Sequence, residues 1–324
     1  SIIFTVITMV TCSALGFIDP DAPKKDPEWA RALKYGAKAK IELHVVDDDG
    51  IPVPNAKVRV IMGMISTAYT IKGLTNTNGV YVIDGKTKGD SISITIGKEG
   101  YYYSNINLSF IELGKERQVK NRKWQPYGEK MTILLREKRN PIEMSFLGSK
   151  FNKLKKINEW IGYDLMMNDF VYPHGEGKIS DFDVYAECDA EWKQKKDIKI
   201  KIRFNEQYAG YYTEKTINTS DFRGQYTAKP NNLFLTYTEY SYKYLPNGEM
   251  IDNKFDRNVC LIIRSRCKVN EKGELISANY STIFNILFYC DYDNIIYFNT
   301  TRAFNKNPND LNLEPKHMAQ SAFF

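Results

Sequence analysis

From Ile41 onward apolar and polar positions alternate with a period of two: Ile41, Leu43 and Val45 are separated by Glu42 and His44. Successive side chains of a strand leave on opposite faces, so this period predicts a half-buried strand. It stops at Asp47-Asp48-Asp49-Gly50, where a turn is expected. Further strand-like runs occupy residues 56–61, 69–74, 80–83, 92–96 and 131–135, and Gly, Asn or Asp follows most of them closely. That rhythm predicts an antiparallel sandwich. Thr77-Asn78-Gly79 is a hairpin signal that directs Val80 and Val82 towards the core. Ahead of the strands, the charged, Ala-rich residues 26–33 predict a short lead-in helix.

Beyond residue 162 the β pattern returns. Residues 182–188, 198–204 and 234–240 alternate, whereas 259–263 and 283–289 are continuously apolar and read as central strands. Turn signals at 246–248, 271–273 and 291–294 separate several of them. A second β-sandwich of about eight strands is expected over 162–301. Residues 138–161 hold Lys138, Arg139, Lys150, Lys153, Lys155 and Lys156 and read as a basic linker, and 302–324 as an irregular tail. The expectation is an all-β chain of two sandwich domains.

The first of these carries a resemblance. The run from Val46 through Asp47-Asp48-Asp49-Gly50-Ile51-Pro52-Val53-Pro54-Asn55-Ala56 to Val60, then Thr75-Asn76-Thr77-Asn78-Gly79-Val80-Tyr81, then Lys98-Glu99-Gly100-Tyr101, resembles the carboxypeptidase regulatory-like domain. The match spans residues 38–137 with its elements in the family's order. The resemblance implies a small Greek-key, transthyretin-like β-sandwich that acts as an accessory module and has no catalysis of its own. The chain departs from the family in showing three aromatics, Tyr101 to Tyr103, after the glycine, and an insertion over 110–128.

Residues 1–10 form an apolar run too short for the roughly 20 residues that span a bilayer. With Ala14-Leu15-Gly16 behind it, the run reads as a signal peptide over residues 1–16, cleaved near Gly16. The expected location is the periplasm or cell surface of a bacterium, with lipid anchoring at Cys12 as the lesser alternative and no further membrane span. Export leaves Cys188, Cys260, Cys267 and Cys290, which can pair in three ways or stand as small core residues within their apolar runs.

Three His and no Cys-x-x-Cys leave little material for a metal site, so no metal or cofactor is expected. A net charge of +6 spread over the whole chain does not argue for nucleic acid. Asp47, Asp48 and Asp49 lack calcium-loop spacing and read as a turn, and residues 169–177, with His174 and Glu176, as a Gly-Pro loop. Asp181 and Asp183 fall two apart on one strand face, which keeps a glycan hydrolase as the alternative reading. The 22 Tyr stand out, and Tyr240, Tyr242 and Tyr244 share a strand face. Such a stripe suits stacking on sugar rings or a protein surface, although strand propensity also enriches tyrosine. The leading expectation is therefore a non-catalytic binding or structural protein whose partner is a glycan or a surface protein.

Overall fold

The computed structural model describes residues 27–63, 67–110, 119–147, 150–154, 158–189, 197–245, 249–291 and 295–316. The signal-peptide reading of residues 1–16, with Cys12, lies outside them. The chain is all-β, with one short helix among the described residues, and divides into two compact units, residues 1–135 and 136–324.

In the first unit, helix α1 (Pro27–Tyr35) buries Trp29 and Ala32 in the core. Strand β1 (Ala37–Val46) has the predicted period, with Ile41, Leu43 and Val45 fully buried. It lies centrally in a five-stranded sheet, antiparallel to β4 (Val80–Thr87) and parallel to β9 (Glu129–Leu134) and β8 (Lys123–Trp124), which pairs with β7 (Val119–Lys120). Strands β2 (Lys57–Met62), β3 (Tyr69–Leu74), β5 (Ser91–Gly97) and β6 (Ser104–Ser109) form a four-stranded sheet in the order β3-β2-β5-β6. Apolar faces of both sheets meet in one core, with Trp124 at its heart, stacked on Phe110 and donating from Nε1 to the Thr87 carbonyl at 3.1 Å.

Two turns of this unit use one device. Asp47 and Asn76 each accept from two backbone N–H groups through Oδ1, those of Asp49 and Ile51 in one case and of Asn78 and Val80 in the other. A glycine three residues on, Gly50 or Gly79, takes the positive φ that closes each turn. The three aspartates thus form a turn, as the sequence predicts. The inward pair after Gly79 differs from expectation: Val82 is exposed, while Tyr81 and Ile83 face the core. The reason is register. Strand β4 pairs with β1 and not with β3, and Ile83 and Tyr81 stand opposite the inward Ile41 and Leu43.

The second unit is a sandwich of two six-stranded sheets. One contains β10 (Met144–Leu147), β21 (Ile296–Asn305), β20 (Leu275–Cys290), β19 (Val259–Val269) and β16 (Gly210–Lys215), with β11 (Asn152–Leu154) paired to β21. The other runs β13 (Asp169–Phe170), β12 (Trp160–Asp164), β14 (Phe182–Asp189), β15 (Asp197–Arg203), β17 (Tyr237–Tyr244), β18 (Met250–Asn253). Strand β18 closes that sheet as a four-residue edge, exposed throughout. Between the sheets, Ile161, Val184, Ile200 and Ile202 meet Leu261, Ile263, Ile286 and Phe298.

Three boundaries differ from the sequence reading. Residues 138–161 are not a linker: β10 and β11 pair antiparallel with β21, satisfying backbone groups that would otherwise be left at a sheet edge. Their basic side chains lie on polar ground, with Lys150 on Asp169 at 2.8 Å and the Arg139 guanidinium over the Tyr226 ring at 4.2 Å. Part of the expected tail is ordered too. Residues 302–305 finish β21, Leu313 is buried, and Glu314 accepts from the Arg139 and Asn140 backbone N–H groups. Finally, β17 starts at Tyr237, because Phe234 leaves the sheet to pack on Tyr212 under the Arg264 guanidinium.

Candidate functional site

The tyrosine stripe has the expected common face, but that face turns inward. Tyr240 is 9% exposed and packs edge-on against Phe255, and Tyr242 stacks on Phe288 of the opposing sheet, with ring centroids 5.8 Å apart. Tyr244 contacts Tyr242 on the same side. Burial raises the Tyr240 hydroxyl to about 12 and pushes Tyr242 higher still. Tyr240, Tyr242 and Tyr244 therefore serve packing and do not make an open binding stripe.

The two acids of the hydrolase reading are also placed differently from expectation. Asp181 precedes β14 and is buried: its Oδ1 accepts from Arg266 Nε at 2.9 Å and Ser265 Oγ at 2.7 Å, and its Oδ2 from Leu165 N and Arg266. Arg266 also reaches Asp164 at 2.8 Å. Burial of Asp164 would raise its carboxyl, but the backbone N–H groups of Lys178, Met167 and Ile179, together with Arg266, outweigh that and hold it below the usual range. Asp183 is on the other side of the sheet, held by Arg203, Asn205 and Ser180. The pair does not face a common cleft, and every oxygen named here already has a donor. His174 sits in a loop closed by backbone bonds, including its own N–H to the Val171 carbonyl. Among the described residues, no three His, Cys, Asp or Glu side chains gather as metal ligands.

What the structure does assemble is the outer face of the six-stranded sheet β13 to β18. Inward Ile161, Val184, Ile200 and Ile202 fix the parity of their strands, so their sequence neighbours lie on the opposite, outer face, where Trp160 and Tyr185 are half-buried. In register across β12, β14, β15 and β17, Trp160, Tyr185, Lys201 and Glu239 form one row. Gly162, Asp183, Arg203 and Tyr237 form the next. The Arg203 guanidinium lies 4.1 Å from the Trp160 ring centroid, and Trp160 and Tyr185 meet at 5.2 Å. Lys201 sits over Tyr185 at 4.9 Å and is bonded to Glu187, which holds its ammonium in the charged form. Tyr237, 47% exposed, donates to Glu239 at 3.0 Å.

The result is an outer sheet face with three aromatic side chains beside two ion pairs, Asp183 with Arg203 and Glu187 with Lys201. The sequence reading missed this surface by following the even positions of β17 and not the odd. The signal was present in β14 and β15, where Asp183, Tyr185 and Glu187 alternate with apolar residues and Lys199, Lys201 and Arg203 do likewise. Trp160 could not be joined to them without knowing that β12 pairs with β14.

The four described cysteines all stand as thiols. Cys260 is buried, which raises its thiol to about 12, and burial lifts Cys267 to about 11. Cys188 and Cys290 approach each other from opposite sheets.

No protein-family model matches the chain, and no curated protein matches it in sequence. Among solved structures it is similar to 3-chlorocatechol 1,2-dioxygenase from Rhodococcus opacus, at 14% identity over 32% of this chain, with a TM-score of 0.25. It is similar at 12% identity to a catechol 1,2-dioxygenase from Acinetobacter radioresistens, over 37% of this chain and 59% of that one, with a TM-score of 0.27. The chain spans about 60% of the length of the first dioxygenase. The shaft pilin SpaA of Lactobacillus rhamnosus GG is covered over 92% of its length by 75% of this chain, at 9% identity and a TM-score of 0.22.

Proposed function

We propose that this chain is an exported, non-catalytic binding protein, and that the outer face of its second unit holds a neutral glycan. The observation that carries the proposal is the row Trp160, Tyr185, Lys201, Glu239 beside the exposed Tyr237 on the outer face of the sheet. Aromatic rings on a sheet face offer large, rigid contact area to the apolar faces of pyranose rings. The neighbouring charges balance in sign, Lys199, Lys201 and Arg203 against Asp183, Glu187 and Glu239, so they supply hydrogen-bond donors and acceptors without selecting a charged ligand. A hydrolase reading has less support, because Asp181 is enclosed by Arg266, Ser265 and Leu165 N and cannot reach a substrate.

In the first unit, the order of strands and the Asp47–Gly50 and Asn76–Gly79 turns support membership of the carboxypeptidase regulatory-like family as an accessory module. Export rests on the sequence of residues 1–16, and the periplasm or cell surface is the corresponding location.

The test is retention of the purified chain on an array of neutral oligosaccharides and on immobilised neutral polysaccharides. Wild type is expected to be retained by at least one of them, and the double variant Trp160→Ala, Tyr185→Ala to lose that retention while its melting curve moves little. Retention unchanged in the double variant, or no neutral glycan retained at all, would remove the proposal.

A further inference from the structure

We infer that Cys188 and Cys290 form a disulfide that staples the two sheets of the second unit when the chain meets a small-molecule disulfide oxidant. Cys188 is near the end of β14 and Cys290 is the last residue of β20, so the two come from opposing sheets. Their Sγ atoms are 3.5 Å apart. A disulfide needs about 2.05 Å, so closure requires the sulfurs to approach by roughly 1.5 Å. Both residues are half-buried at the rim of the core, alongside Tyr242 and Phe288. An oxidant can therefore reach them, which a fully buried pair would prevent.

The remaining cysteines have no such geometry. Cys260 and Cys267 lie in the same strand, β19. At about 3.3 Å of rise per residue their separation is on the order of 20 Å, well beyond any bridge. Their thiols are also raised by burial, which leaves little thiolate to react. Of the three connectivities open to four cysteines, the structure therefore selects a single bridge with two thiols left over.

The chemistry balances as a thiol–disulfide exchange with oxidised glutathione. One of the two cysteines, as its thiolate, attacks a glutathione sulfur, forming a mixed disulfide and releasing one glutathione thiolate. The other thiolate then attacks the protein sulfur of that mixed disulfide and releases the second glutathione thiolate. The two protons given up by the protein thiols end on the two glutathione molecules. Two protein thiols are oxidised and one glutathione disulfide is reduced.

The inference is independent of the glycan reading, and its test has no glycan in it. The full chain is equilibrated with oxidised and reduced glutathione, quenched in acid, alkylated unfolded and digested. Before alkylation the expected product is about 2 Da lighter than the reduced chain. After alkylation and digestion it contains one cross-linked peptide joining Cys188 to Cys290, and no cross-link at Cys12, Cys260 or Cys267. Cys260→Ser is expected to keep the cross-link, and Cys290→Ser to replace it with a glutathione adduct on Cys188. Oxidation should raise the urea midpoint of wild type and leave that of Cys290→Ser unchanged. Alkyl label on both Cys188 and Cys290 after oxidation, or a cross-link from either to Cys267, would overturn the inference.

Discussion

Arg266→Ala is the substitution that most directly tests the buried polar junction of the second unit. The wild-type guanidinium bonds Asp181 through two nitrogens, at 2.9 and 3.0 Å, and Asp164 at 2.8 Å. The Asp181 side chain has no exposed surface and that of Asp164 only 2%. Truncating the arginine leaves two carboxylates buried without their shared counter-charge, a change that costs about 3–5 kcal/mol in comparable sites. For a unit of this size each kcal/mol moves the melting temperature by roughly 2–4 °C, so a loss of roughly 6–20 °C is expected at pH 7.

The pH dependence identifies the cause. Asp164 has a folded pKa below its unfolded one, so its ionised form stabilises the fold above the unfolded pKa, about 3.9. That contribution fades as pH falls through the lowered folded value. In the variant the stranded carboxylates gain from protonation, so the gap between variant and wild type should narrow as pH is lowered from 7 towards 4. Differential scanning calorimetry at several pH values reads both effects. A gap that is constant with pH, or smaller than about 1 kcal/mol at pH 7, would refute the view that Arg266 acts by neutralising these acids.

Tyr240→Ala should destabilise by about 3–5 kcal/mol as a buried aromatic truncation, and leave any glycan retention intact at temperatures where the variant is folded; chemical denaturation beside the retention assay checks both. Gly50→Ala and Gly79→Ala separate backbone strain from crowding. Both glycines have φ near the left-handed region, +77° and +71°. A Cβ at Gly50 meets nothing within 4 Å, whereas at Gly79 it would stand 2.5 Å from the Val45 carbonyl oxygen. Urea melts should show a cost of about 1–2 kcal/mol for the first and clearly more for the second, and equal costs would count against the crowding argument. If residues 1–16 direct export, Edman sequencing of the secreted chain should begin close to Phe17, and an acylated Cys12 at the N-terminus would replace secretion with membrane anchoring.

The β character of the chain was legible because burial on one face leaves a period of two, and β3 has the expected bounds of 69–74. What the period could not reveal was pairing. Val80 and Val82 read as inward because Asn78-Gly79 suggests that β3 and β4 make a hairpin, yet these strands belong to different sheets and β1 sets the parity of β4. The basic residues around 150 suggested a solvated linker, because charge on one side of a short strand looks the same as charge in a loop until its partner is known. Trp160, Tyr185, Arg203 and Tyr237 are far apart in sequence and become neighbours only through the order β12-β14-β15-β17. The Cys188 to Cys290 approach spans 102 residues and depends on how two sheets face, which no local pattern encodes.

The short edge strand β18 bears on how the protein stays apart from its own copies. A sheet that ends in an unpaired row of N–H and C=O groups can be extended by another chain, and repetition of that event builds a polymer. Here the terminal strand offers four residues, too few for a stable added strand. Beside its apolar Met250 and Ile251 stand Asp252 and Lys254, bonded to each other at 2.6 Å. A second chain adding to this edge would have to bring its own strand against that ion pair, separating or desolvating it. Brevity and charge together make the boundary of the proposed glycan-bearing sheet a poor template for stacking, so the broad aromatic face can be open to solvent without its sheet becoming the seed of a fibre.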